Sequence, residues 1–392
     1  MGHRGMGWRA AVLAVVVGGC SALSGCTGEP SPAPTKTPTQ VPTASLERTI
    51  QHFMDVGAVS VVVQIRWPGG QWSKAYGVRS VDTEDRALPQ DRFSIGDITE
   101  SMVAVSVLKL VDDGLIGLDD PVNPILESFS STLHPPGPIT VRQLLNQTSG
   151  LQDFGDERDA TGTPALVVNT RLSTQHGLEL AAKLPWVSRR VGTFSDSSSN
   201  YLALGQLIEK LRGKPLGEVL RHDIFEPLEL ERTSFAVLDR EAPDNLRAYI
   251  LDGKASVDVT QAEYLFGSPA EGVISTTRDI NDFYWGLLSG RLLTRTATDE
   301  MKKTLSARNG LGLFRWRDGC SSDGFRFGHS GKVYGYLTTS ISSADGRSQL
   351  TMAMSLPLLQ PESEAPYVGR IVGLYASQME SAAQETLDRL CG

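Results

Sequence analysis

Apolar positions recur three and four residues apart through "LERTIQHFMDV", residues 46–56, which predicts an amphipathic helix. The β-branched run "AVSVVVQIRW", a turn at Gly69-Gly70 and the half-polar "QWSKAYGVRS" then predict a hairpin. From Asp97 to about Pro269 the pattern is mostly helical with long loops, as in "TVRQLLNQ", "GLELAAKL", "SNYLALGQLIEKLRG" and "LGEVLRHDIF". Near the end, "FGHSGKVYGYLTTSISSADGRSQLTMAMSL" alternates like two or three strands, and "YVGRIVGLYASQMESAAQETLDRL" reads as a long closing helix. Strands at both ends of the chain, with helices between them, predict a mixed α/β (α+β) fold. Its sheet is assembled from the termini, and a helical lobe is inserted over about residues 97–269. No internal repeat points to a solenoid or propeller.

The first 45 residues follow a different logic. Arg4 and Arg9 precede the apolar run "AAVLAVVVGG", which leads into "LSGC", Leu23 to Cys26. This is the layout of a secretory signal over residues 1–25, and the cysteine after Leu-Ser-Gly resembles the bacterial lipobox, with Cys26 as the lipidated first residue of the mature chain. Only about 13 residues, Ala10 to Ala22, are continuously apolar, short of the roughly 20 that a membrane span needs. Residues 26–45, rich in proline and threonine, cannot form a core and read as a semi-extended tether, in which roughly 18 residues reach about 55 Å at roughly 3.1 Å per residue. The expected location is therefore the extracytoplasmic face of the cell membrane, held by lipid, with residues 46–392 as the folded domain.

Charge and cysteines narrow the partners. The formal net charge is -8, and loss of residues 1–25 removes Arg4 and Arg9 but no acid, giving -10. An acidic chain without a basic run is a poor match for nucleic acid. Of four cysteines, Cys20 leaves with the signal and Cys26 takes lipid. Cys320 and Cys391 remain, and in an oxidising compartment one disulfide is expected over two buried thiols.

Motifs carry the chain further. "FSIGDITE", "LVDDGLIGLDDPV", "ITVRQLLNQTSGL", "YLALGQLIEKLRGKPL", "PLELERTSF", "AEGVISTTRDI" and "GHSGKVYGY" follow one another in an order that resembles the penicillin-recognising serine hydrolases. The likeness is to the branch of class C β-lactamases, D-alanyl-D-alanine peptidases and related esterases, and it extends over nearly all of residues 46–390. It implies a β-lactamase/penicillin-binding-protein-like fold, an antiparallel sheet flanked by terminal helices beside the helical lobe. It also implies a serine at a helix start and a lysine one turn later that takes its proton. Those two positions here are Asp97 and Glu100. The family's Tyr-x-Asn is replaced by "FSD", so Phe194 lacks the phenol and Asp196 the amide donors. A histidine expected in the Thr-Ser-Gly segment is Gln147, whereas "HSG", His329 to Gly331, is kept.

"DITE" also fits a capping box, with Asp97 accepting an amide of the first turn and Glu100 reaching back. Two other serines invite attention. Ser106 and Lys109 form a Ser-x-x-Lys deep inside the same helix, and Ser101 lies one turn after Asp97, without an evident base. His3, His52, His134, His176 and His222 are scattered and read as ordinary, whereas His329 stands in its motif and can equally pack or bind. No nucleophile elbow, zinc spacing or phosphate loop occurs.

The reading that results is a cell-envelope lipoprotein whose serine-hydrolase fold has lost its catalytic groups and acts by binding a cell-wall peptide or small carboxylate, with no cofactor. Its alternatives are an envelope scaffold with a vestigial cleft, contacting another envelope protein, and a hydrolase with a relocated nucleophile. If Asp97, Glu100 and Asp196 line one cleft with His329 opposite, each pair of carboxylates about 6 Å apart repels by on the order of 3 kcal/mol. Either a proton, the nearby Lys332 or a bound cation would relieve that charge, unless the capping geometry separates the carboxyls.

Overall fold

Alternation along β1 (Ser60–Trp67) decides the layering. Val61, Val63 and Ile65 point into one core and Val62 into the other. The neighbouring β11 (Gln349–Ser355) continues the pattern in antiparallel register, with Val61 opposite Met354, Val63 opposite Met352 and Ile65 opposite Leu350. Because side chains on adjacent strands share a face at such positions, the two strands present one continuous apolar surface. This computed structural model describes residues 41–155, 169–186, 188–252, 255–265, 267–304, 308–321, 324–357 and 365–391; the expected signal, Cys26 and the expected tether up to residue 40 lie outside them. None of the described helices is long and apolar enough to cross a membrane.

The sheet runs β2-β1-β11-β10-β9-β8, with β2 at Gly70–Gly77, β8 at Phe314–Arg317, β9 at Phe325–Val333 and β10 at Tyr336–Ser342, every pair antiparallel. On one face lie the terminal helices α1 (Ala44–Asp55) and α10 (Ala365–Asp388). Leu46, Ile50 and Phe53 of α1 join Tyr375, Met379, Ala383 and Leu387 of α10 over Val61, Met352 and Ile341. The opposite face is partly polar, and one residue satisfies much of it. Asn281 of α8 (Thr277–Leu288) donates to Gln64 Oε1 at 3.1 Å, accepts from Thr351 Oγ1 at 2.7 Å, and offers its carbonyl to Gln349 Nε2 at 2.6 Å. Buried polar atoms that pair in this way avoid the roughly 1–3 kcal/mol cost of being left alone.

Beyond α8 lies the helical lobe. Its axis is α2 (Ile98–Asp112), buried from Ile98 to Leu108 and apolar on nearly all sides, as a helix enclosed by its neighbours must be. Around it stand α3 (Glu127–Leu133), α4 (Val141–Leu145), α5 (Thr174–Ala181), α6 (Ser198–Arg212) and α7 (Leu216–Leu220), with α9 (Arg295–Lys302) near the sheet. A three-stranded sheet of β3 (Phe93–Ser94), β7 (Val273–Ser275) and β4 (Ser234–Phe235), and a hairpin of β5 (Tyr249–Asp252) and β6 (Ala255–Asp258), complete it. The first hairpin turns at Pro68 and Gly69, one residue earlier than its glycine pair suggests, because Gly70 already pairs with Trp67.

Cys320 and Cys391 are joined, with Cα atoms 5.6 Å apart and a sequence separation of 71. Closing a loop of that length removes about 4 kcal/mol of chain entropy from the unfolded state. Beside the bond, Arg326 is 2% exposed and pairs with Asp318 at 2.8 Å and Asp388 at 2.6 Å. The charge buried with β9 is thus compensated from both sides of the cross-link.

Candidate active-site cleft

Two glycines bring the cleft's walls together. A Cβ on Gly331 would stand 2.1 Å from the Ile95 carbonyl, and one on Gly96 would stand 2.7 Å from the Lys332 carbonyl. Gly96 also adopts φ +58, which side chains resist. Backbone therefore packs directly on backbone where β9 meets the start of α2. The glycine of "HSG" has this structural task whatever the chemistry.

Asp97 sits at that junction. Its backbone is already helical, φ -61 and ψ -7, and its side chain caps nothing. Instead Asp97 Oδ2 accepts the backbone N–H of Lys332 across the cleft at 3.1 Å. Glu100, 4% exposed, faces Gln147, whose Nε2 donates to its two oxygens at 3.4 and 3.3 Å. The capping box suggested by "DITE" therefore does not form. A capping side chain needs extended backbone at the first position, and Asp97 is turned into the helix too early to reach the amides of its own first turn.

Both carboxyls are held well above the usual carboxylate range. For Asp97 the main cause is burial, followed by the negative charges of Glu271 and Asp196, with Lys332 pulling the other way. For Glu100 it is again burial, then Asp97 and Asp196, opposed by the Gln147 hydrogen bond. Asp196, on the exposed rim, is raised by partial desolvation and by Asp153 against the attraction of Lys332. Lys332 is itself raised, chiefly by Asp97. The cleft floor is an acidic group of residues balanced by one ammonium.

Gln147 ties this group to the next loop. Its Oε1 accepts the backbone N–H of Ser197 at 3.1 Å and the Asn200 amide, which orients its Nε2 toward Glu100. The backbone of Gln147 pays a left-handed φ of +61 for that position. Neither this bridge nor the approach of Glu271 is legible in the local sequence, since both depend on loops brought in from far along the chain.

The spare serines and His329 fall away from the cleft. Ser101 is fully buried, donates to the Gly312 carbonyl at 2.6 Å and lies 3.0 Å from the Tyr284 hydroxyl. Ser106 is buried in α2 without a hydrogen-bond partner for its hydroxyl. Phe194 is 36% exposed at the surface. His329 is not opposite the acids. It is 3% exposed, stacks on Phe314 with ring centres 4.0 Å apart, and its Nδ1–H donates to the Ser330 carbonyl at 2.8 Å. Burial pushes it down to about 4, so it is neutral. The cation site drawn from Asp97, Glu100, Asp196 and His329 is therefore not assembled, because the aromatic stack holds the imidazole inside the sheet layer. Among the described residues, the one group spaced for a metal is Asp318, Cys320 and Asp388, and there the sulfur is in the disulfide and both acids pair with Arg326.

Chemically, an N–H aimed across a cleft at a helix start is the kind of donor that stabilises an oxyanion. Here it is engaged by a carboxyl of the protein itself.

Known proteins share this framework. Flp of Staphylococcus aureus (strain N315) is 24% identical over 269 residues, 68% of this chain and 53% of Flp, so the chain spans about half the length of that relative. PbpX of Bacillus subtilis (strain 168) is 22% identical over 283 residues, 71% of this chain and 68% of PbpX. Among solved structures, a D-stereospecific amidohydrolase from Streptomyces sp. superposes with a TM-score of 0.73 at 24% identity, over 87% of this chain and 98% of that one. The Beta-lactamase family model matches residues 46–375, and with the sheet, the lobe and the cleft motifs in their places the chain belongs to the Beta-lactamase family, the penicillin-recognising serine hydrolases.

Proposed function

We propose that this protein is a lipid-anchored component of the cell envelope whose cleft binds a cell-wall peptide without cleaving it. One observation carries the reading. At the helix start where relatives place a nucleophile, the Asp97 carboxyl accepts the Lys332 N–H, and Glu100 stands where a proton-accepting amine is needed. A carboxyl there cannot form a stable acyl ester with an amide or ester substrate. The acidic floor also selects between ligands: the amino end of a peptide would favour the ionised forms of Asp97 and Glu100, as a small carboxylate would not. The Streptomyces relative is named for D-stereospecific amide chemistry, which makes D-configured amides the first ligands to try.

Titration calorimetry with D-alanyl-D-alanine amide, followed by mass spectrometry of the mixture, tests this. The expected result is saturable heat, weaker for the N-acetylated amide, with no product. Turnover, or tighter binding of the acetylated form, would contradict it. The anchor is tested separately: Cys26→Ala should move the protein from the membrane fraction to the soluble one, and a variant that stays membrane-bound after a salt wash would refute lipidation at Cys26.

A further inference from the structure

A second concave surface lies away from the cleft, between α7, the π turn Arg221–Phe225 that continues it, and β4. It is an open groove of about 600 Å³. Phe225 and Leu230 form a buried apolar base, and Phe235 presents a half-buried ring above it. That ring lies against Gly217, where a Cβ would approach it to 3.2 Å. The rim is the reverse in character. Glu218, Glu226, Glu229 and Glu231 are all exposed there, and the one cation lining the groove, Arg221, stands 3.8 Å from Glu226. Four carboxylates against one guanidinium leave the groove strongly negative above an apolar floor.

Three features of the backbone fit a docking role. The π turn departs from regular helix geometry at the groove wall, a departure frequent at functional sites. Glu229 is held at φ +54, a strained conformation for a side chain with a Cβ. β4 pairs only with β7 and is the edge strand of its sheet, where an extended segment can add.

We propose that this groove docks a segment of another protein that carries lysine or arginine on either side of an aromatic or large aliphatic residue. Charge complementarity makes the choice. A second copy of this chain would oppose the same four glutamates and a net charge of -8. The chain's own tether, residues 26–45, holds Glu29 and Lys36 and is neutral. A basic partner pairs with the rim while its apolar residue covers Phe235.

The experiment measures fluorescence anisotropy of a fluorescein-labelled dodecapeptide of alternating lysine and phenylalanine with the intact protein in detergent micelles. A glutamate-for-lysine peptide is the control. Glu218→Lys/Glu226→Lys is expected to weaken binding about tenfold and Phe235→Ala severalfold, whereas Asp55→Lys/Glu84→Lys, outside the groove, changes it less than twofold. Equal losses from the outside pair would reduce the effect to general charge attraction and overturn the proposal, as would no binding at all. A dimer in sedimentation that the probe dissolves would assign the groove to a second copy, and vesicle binding lost in Glu218→Lys/Glu226→Lys would assign it to lipid; either refutes a protein partner.

Discussion

Asp97→Ser/Glu100→Lys is expected to acquire covalent labelling by a fluorescent penicillin at a rate at least about 100-fold above that of the wild-type chain, which should stay at background. A positioned base contributes on the order of 10²- to 10⁴-fold, and the double substitution supplies both nucleophile and base at the start of α2. It also frees the Lys332 N–H, which now serves Asp97, to receive a developing oxyanion. A lysine in the nearly dry position of Glu100, 4% exposed, would have its pKa lowered by desolvation, which suits a proton acceptor. Either single variant should remain inert, because groups that act as a unit do not contribute additively. Adding Phe194→Tyr should raise the rate again, since Phe194 is exposed enough to accept a hydroxyl without repacking. Wild-type labelling that maps to Ser101 or Ser106 would sink the reading of a cleft without a nucleophile. No labelling in the triple variant would mean that the cleft differs from its relatives by more than these side chains.

Why the cleft was only half legible in the sequence follows from where its contacts come from. Alternation in "VSVVVQI" and "QLTMAMS" identifies β1 and β11 and even their shared face, because each is decided by neighbours two residues apart. The two-residue strands β3 and β4 carry no such pattern, and β8, "FRWR", is defined by pairing with β9. "DITE" is the sharper case. Its four residues satisfy the local rule for a cap, yet Asp97 takes a donor 235 residues away and Glu100 faces Gln147. The local option is worth about 1 kcal/mol, too little to hold the carboxyls once β9 is packed on Gly96. His329 has two open readings in the sequence, since its motif points to the cleft and its ring could equally pack, and a stack on Phe314 claims the ring.

The charge left in the cleft has a measurable consequence for stability. Glu100 is raised above its ordinary value in the folded protein, so the folded state keeps a proton that the unfolded state gives up as pH rises past about 4.5. From that point upward the folded state binds more protons, and stability falls with pH until Glu100 itself ionises in the fold. Below pH 4.5 both states are protonated and the group costs nothing. Each pH unit in the window is worth about 1.4 kcal/mol. Glu100→Gln removes the titration while keeping an oxygen for the Gln147 amide. The variant is therefore expected to match wild type at pH 4 and to be the more stable of the two at pH 8, read from urea unfolding at the two pH values. The sign separates two pictures of the cleft. A variant less stable than wild type at pH 8 would mean that Glu100 is ionised and usefully paired there, as it would be with a cation held in the floor. A gain that grows with pH means that the carboxyl is a burden until an amino group of a ligand arrives to neutralise it, and D-alanyl-D-alanine amide should then stabilise wild type more than Glu100→Gln.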